Sequence, residues 1–188
     1  MRLVGYLVGS LILAITGGGS HAREECPVEI SYAYYEVDGE TFADIKESIR
    51  SRGPVDERGK RRYARTDWKV DWRWERDDNG VIRPGSVKVL CKAVLTLPQL
   101  NSTTNLSPAE ADRWKAYQQL LLRHELNHVR HVEAIATEIP RRIKQRQERY
   151  GKVSAKSAQR VAKSVLQDIR ELDRSYDSYT VHGATEGI

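Results

Sequence analysis

Polar and apolar residues alternate over residues 66–76. Trp68, Val70, Trp72 and Trp74 share one face, while Asp67, Lys69, Asp71, Arg73 and Glu75 share the other. A period of two predicts a half-buried antiparallel strand with one wet face. Large aromatics at that spacing read as core rather than as a carbohydrate platform. Residues 28–37, rich in Val, Ile and Tyr, predict an earlier strand turned by Asp38-Gly39. Thr41 then caps a short helix with Phe42, Ile45 and Ile49 at helical spacing, and Gly53-Pro54 closes it. Residues 55–62 are charged and aperiodic, hence loop. After a turn at Asp77-Asp78-Asn79-Gly80, a further strand is predicted from Ser86 to Leu97. Val87, Val89, Cys91, Ala93, Leu95 and Leu97 form one face, and Pro98 is expected to end it.

The second half of the chain has a helical period. Ser107-Pro108-Ala109-Glu110 has the form of a capping box with Pro at the first helical position. Trp114, Tyr117, Leu120, Leu121, Leu122, Leu126 and Val129 fit a buried face. Pro140 is expected to end or kink this helix, with the pattern resuming to Tyr150 and stopping at Gly151. A last helix, Ala155 to Tyr176, carries Val161, Val165, Leu166, Ile169 and Leu172 on one side. The class is therefore α+β: a small antiparallel sheet packed on a long helix and a C-terminal helix.

The N-terminal segment changes the domain count. Leu3 to Ile15 is an apolar run of signal-sequence length, too short for a comfortable membrane span, and Ser20-His21-Ala22 offers small residues at a cleavage site. Residues 1–22 read as a secretory signal and 23–188 as one domain, with no stable membrane span after cleavage. Export to a periplasm or the medium follows. The net charge of +5 is mild, and no aromatic-interleaved basic stripe or nucleic-acid motif accompanies it. The densest basic run, Arg141 to Arg146, reads as a solvated helix face with weak attraction to an anionic surface. Cys26 and Cys91 form an even pair, which in an exported chain favours one disulfide.

The chemistry lies in Arg123-His124-Glu125-Leu126-Asn127-His128. Residues four apart share a helix face, so His124 and His128 can grip one zinc ion from the same side. Glu125 projects about 100° away by the helical turn. It is placed to take a proton from a water at the metal. A catalytic zinc usually has three protein ligands and one water. His131 lies roughly 10 Å along the axis from His124, too far for the same ion on a straight helix. It reads as a surface or supporting residue. His182 in the tail and the acids Glu171, Asp173 and Asp177 remain as candidates for the third ligand.

Motifs along most of the domain resemble a known family. They are Gly39-Glu40-Thr41, Gly53-Pro54, Tyr63-Ala64-x-Thr66-x-Trp68, Thr96-Leu97-Pro98, Trp114-x-x-Tyr117 before the His-Glu-x-x-His, and Tyr176-Asp177-x-x-Thr180-x-His182-Gly183. The chain resembles the bacterial predicted secreted zinc-dependent proteases, a group first catalogued as a domain of unknown function. The resemblance implies a zincin-like metallopeptidase acting on a peptide or protein substrate. It favours His182 as the third zinc ligand beside His124 and His128. In that scheme Glu125 is the general base, Tyr176 a donor to the oxyanion, and Asp177 an orienter of a ligand imidazole. The family pattern leads one to expect Gln soon after Gly183, where Glu186 stands instead.

Overall fold

A computed structural model of the chain describes residues 28–83 and 85–188. Its elements are β1 (Val28–Val37), α1 (Phe42–Arg52), β2 (Arg65–Arg73), β3 (Lys88–Leu100), α2 (Pro108–Tyr150), α3 (Ala155–Thr180) and a 3-10 turn at Ala184–Glu186. The class is α+β, as the periodicities require. The expected signal segment and Cys26 lie outside the described residues.

The sheet is mixed, where a purely antiparallel one was expected. Its order is β1-β3-β2. β2 runs antiparallel to β3, from Arg65 opposite Thr96 to Arg73 opposite Lys88. β1 runs parallel to β3, from Val28 opposite Cys91 to Val37 opposite Leu100. The connection allows it: α1 and β2 lie between β1 and β3, a crossover long enough to bring β1 alongside β3 in the same direction. β3 also runs past Pro98, which was expected to stop it. β2 pairs only as far as Thr96. Beyond that point β3 is locally an edge, where a missing N–H costs little.

Thr41 caps α1 with a full capping box. Its side chain accepts from the Asp44 N–H, and the Asp44 carboxylate accepts from the Thr41 N–H. At α2 only half the box forms. Ser107 accepts from the Glu110 N–H, while the Glu110 carboxylate accepts from the N–H of Phe42, 2.6 Å away, and so ties α1 to α2. α2 is one helix of 43 residues with Pro140 inside it. Proline removes one backbone bond from the ladder. Ile135, Ala136, Ile139 and Ile143 are buried on either side of it, and this packing carries the helix through. Gly151, at φ +74°, caps the end, and four residues later α3 starts back along α2.

The main core lies between the sheet and the α2–α3 hairpin. Val89 and Cys91 of β3 meet Val132, Ile135, Ile139 and Ile143 of α2 and Ala158, Ala162, Val165 and Ile169 of α3. The tryptophan row of β2 packs on the same core. Two of its indoles also bond α3: Trp72 Nε1 donates to Gln159 Oε1 and Trp68 Nε1 to Asp173 Oδ2, both at 3.1 Å. Leu172, expected on the buried side of α3, is exposed instead. A second cluster joins α1 to the start of α2 through Val37, Ile45, Ile49, Leu97, Trp114, Tyr117 and Leu121.

Ile139 is fully buried where sheet, α2 and α3 meet. Ile139→Ala should lower unfolding stability by about 2–5 kcal/mol, with an unchanged slope in urea denaturation. A loss of only a few tenths would contradict this packing.

Candidate metal centre

α2 and α3 run antiparallel, and their facing sides carry complementary chemistry. His124, His128 and His131 project from α2. Asp173 and Asp177, four residues apart, project from α3. The side chains interleave. Asp177 Oδ1 lies 3.3 Å from His124 Nε2 and 3.1 Å from His128 Nε2. Asp173 Oδ1 lies 3.2 Å from His128 Nδ1 and 2.6 Å from His131 Nδ1. The expected end of α3 was Tyr176. The helix continues to Thr180, and that last turn is what aims Asp177 at α2.

The other ring nitrogen of each histidine in the pair is also engaged. His124 Nδ1 lies 2.7 Å from Glu186 Oε2. His128 Nδ1 faces Asp173, whose second oxygen accepts from Trp68. A carboxylate on Nδ1 fixes the ring orientation and turns Nε2 toward Asp177. His124, His128 and Asp177 offer donor atoms that all lie within 4.8 Å of one another. His128, His131 and Asp173 satisfy the same test, with Asp173 on the Nδ1 side of His128 and its second oxygen held by Trp68.

His182 stands beside the group rather than within the mutually close donors. Its Nδ1 is 3.3 Å from Asp177 Oδ2, on the carboxylate's far oxygen, and the side chain is 41 % exposed. The tail reaches this place through left-handed backbone at Val181 (φ +49°), His182 (φ +54°) and Gly183 (φ +88°). Glu171 is held in surface contacts with Gln167 and Arg174, away from the group.

Glu125 is 4 % exposed, and Thr66 Oγ1 on β2 donates to its Oε2 at 2.7 Å. Tyr176 stacks on His124, with ring centroids 5.0 Å apart. Its hydroxyl accepts from Asn127 Nδ2 at 2.7 Å and donates to Glu186 Oε1 at 2.9 Å. That proton is engaged with Glu186, so in this arrangement Tyr176 braces His124 and its partner.

The charges of the cluster follow from these contacts. Burial opposes charge on His128, but the bonds to Asp173 and Asp177 outweigh it and push the imidazole up to about 10. His124 is raised in the same way by Asp177 and Glu186. Burial alone would lift Asp177; its bonds to His124 and His128 prevail and hold it well below the usual carboxylate range. Glu125 is raised, chiefly by burial. The group thus concentrates negative charge around a point that two imidazolium protons can fill. A divalent cation supplies the same positive charge and displaces such protons on binding.

The sequence singled out His124, His128, His182, Glu125 and Tyr176, and the structure brings all five into one neighbourhood. Glu186, Thr66 and Trp68 were not assigned roles from the sequence. A signal for two of them was present: Thr66 and Trp68 stand two apart in an alternating strand, so they share a face. That face meets Glu125 and Asp173.

No curated protein and no solved structure matches the chain. A family described as bacterial protein of unknown function (DUF922) matches residues 32–183, which include His124, Glu125, His128, Asp177 and His182 but not Glu186. With β2, β3, both long helices and the His124–His128–Asp177 group inside that span, the chain belongs to the DUF922 family.

Proposed function

We propose that the protein is a zinc-dependent peptidase, exported to the periplasm or the medium, whose metal is held by His124, His128 and Asp177. The observation that carries the reading is the convergence of two Nε2 atoms from one helical turn on a single oxygen of Asp177. The donor set fits zinc, since catalytic sites of this metal use two imidazoles and a carboxylate and leave a fourth position to water. Bound zinc would polarise a peptide carbonyl and lower the pKa of a water.

The chain's own residues do the rest. Glu186 and Asp173 hold the imidazoles in the orientation that presents Nε2. Glu125 takes the proton of the attacking water and returns it to the leaving amine, and its burial moves its pKa toward the range a general base needs. Thr66 sets the rotamer of Glu125 through the bond at 2.7 Å. His182 holds the outer oxygen of Asp177, which keeps the inner one turned toward His124 and His128.

The same Thr66 bond favours one other reading. A Glu125 locked onto β2 would suit a metal-binding envelope module without turnover. Zinc analysis and a general peptide library separate the two. We expect roughly one zinc per chain and chelator-sensitive cleavage. Glu125→Gln should keep the metal and lose at least about 100-fold in turnover. Zinc without cleavage by the unaltered protein would favour the module, and activity on cell-wall peptide alone would point to an amidase.

The third ligand has its own test. Asp177→Ala should empty the site, whereas His182→Ala should weaken zinc without abolishing it. Full occupancy in Asp177→Ala with loss in His182→Ala would make His182 the ligand.

The chelated protein should also show an alkaline weakness. The folded value of His128 is raised from 6.5 to about 10. Its stabilisation is therefore complete below pH 6.5 and lost as pH rises toward 10. Asp177 is lowered from 3.8, so its contribution is present above that value and lost as pH falls. Metal-free protein should melt highest between pH 3.8 and 6.5, with Tm falling steadily above. Zinc, by replacing the protons, should flatten that fall. A metal-free Tm that is level from pH 6.5 to 10 would contradict the pairing of His128 with Asp173 and Asp177.

A further inference from the structure

The α2–α3 hairpin has two chemically opposite ends. One holds the carboxylates and imidazoles described above. The other, around Tyr150 and Ser154, is basic. Residues 141–163 contain nine Lys and Arg and a single acid, Glu148. That local charge of +8 exceeds the +5 of the whole chain, so everything else sums to −3.

Much of this charge is not neutralised. Arg141 and Arg142 pair with Glu138, Arg142 also with Asp168, and Lys144 stands 3.9 Å from Glu148. Arg146, Arg149, Lys152, Lys156, Arg160 and Lys163 are all exposed, and none takes part in an ion pair among the described residues. Lys156, Arg160 and Lys163 follow the i, i+4, i+7 spacing of one helix face. Arg146 reaches across from α2 to donate to Ser157 Oγ on α3 at 2.7 Å. Arg142, Arg146 and Arg160 line one groove between the two helices with Ser157 and Ser164. Arg142 and Arg146 of α2 and Arg160 of α3 therefore front the same groove. Six unpaired like charges repel one another and weaken the fold, a cost that an anionic partner removes.

Tyr150 identifies the partner's class. It is the last residue of α2, exposed at the turn of the hairpin, with the guanidinium carbons of Arg146 and Arg149 at 5.1 and 5.7 Å from its ring centroid. Nucleic-acid surfaces add open aromatic faces on which bases stack. Here the lone aromatic of the segment is already attended by guanidinium groups. A tyrosine among long basic side chains instead matches the headgroup level of a bilayer, where rings and aliphatic stems sink and charges meet phosphates. Tyr150 is 22 residues beyond His128, roughly 33 Å along the helix axis, so docking there leaves the metal centre uncovered.

We propose that this basic hairpin tip docks on anionic phospholipid headgroups. The inference is independent of whether the metal centre turns over substrate. The test is co-sedimentation of the full chain with phosphatidylcholine vesicles, with and without phosphatidylglycerol. Reading the difference between the two lipid mixtures cancels any insertion of residues 1–22, which carry one charge only. Binding should rise at least tenfold with phosphatidylglycerol and disappear at high salt. The triple variant Arg149→Glu, Lys156→Glu, Arg160→Glu should lose that increment while keeping the Tm and circular dichroism of the parent. Charge reversal of Lys69 on the sheet should leave it intact. No increment, an increment that survives the triple variant, or stronger binding to duplex nucleic acid than to the anionic vesicles would overturn the proposal.

Discussion

One oxygen of Asp177, shared between two imidazoles of the facing helix, fixes the relation of α2 to α3. Both Nε2 atoms reach it within 3.3 Å. The contact continues as a ladder, His124–Asp177–His128–Asp173–His131, with an acid from α3 between successive bases of α2. Such a ladder exists in only one register. Sliding α3 by a single residue turns an aspartate about 100° away from its partners and leaves buried charge unpaired, a costly state. The apolar part of the hairpin does not impose this by itself. Ile139 and Ile143 repeat every four residues, as do Ala158 and Ala162, and carry no charge to match, whereas carboxylates and imidazoles recognise each other one by one. Packing holds the helices together and the polar ladder says how far along they meet.

The sheet serves the same centre from the other side. β2 brings Thr66 to Glu125 and Trp68 to Asp173 through alternate residues of one face. The tryptophan row thus has two tasks: ring area for the core, and N–H groups that hold α3 polar side chains. Trp72 repeats the second task farther along, on Gln159. A strand of smaller apolar residues would fill the core but would leave Asp173 free to turn from His128.

How far could the sequence be read? The periodicities gave the strands and helices because burial on one face is a local property. The cap at Thr41, the stop at Gly151 and the pairing of His124 with His128 are local too, set by spacing within a turn. What escaped depends on contacts between distant segments. Pro98 and Pro140 are breakers by their own chemistry, yet β3 and α2 pass through them, one because β2 has ended and the other because isoleucines bury both flanks. The partner of β1 could not be read from alternation, which reports burial and not direction. The family resemblance favoured His182 as the ligand, with Asp177 an acidic alternative and an orienter, and α3 was expected to end at Tyr176. One further helical turn reverses their positions relative to the pair.

That extra turn requires an abrupt exit, and the backbone shows it. Val181 and His182 both adopt left-handed conformations, which a β-branched residue such as Val181 avoids, a strain on the order of 1–3 kcal/mol. Local bonds offset it. The His182 N–H donates to the Asp177 carbonyl at 2.7 Å, and the Gly183 N–H to the buried Thr180 hydroxyl at 3.2 Å. Gly183, at φ +88°, completes the reversal where a side chain would be strained. A relaxed extended exit would carry the tail away from α2. The reversed one returns Glu186 to His124 and Tyr176, closing the ring of acids around the imidazoles. Strain in the backbone is here the means by which Glu186 finishes a site begun 62 residues earlier at His124.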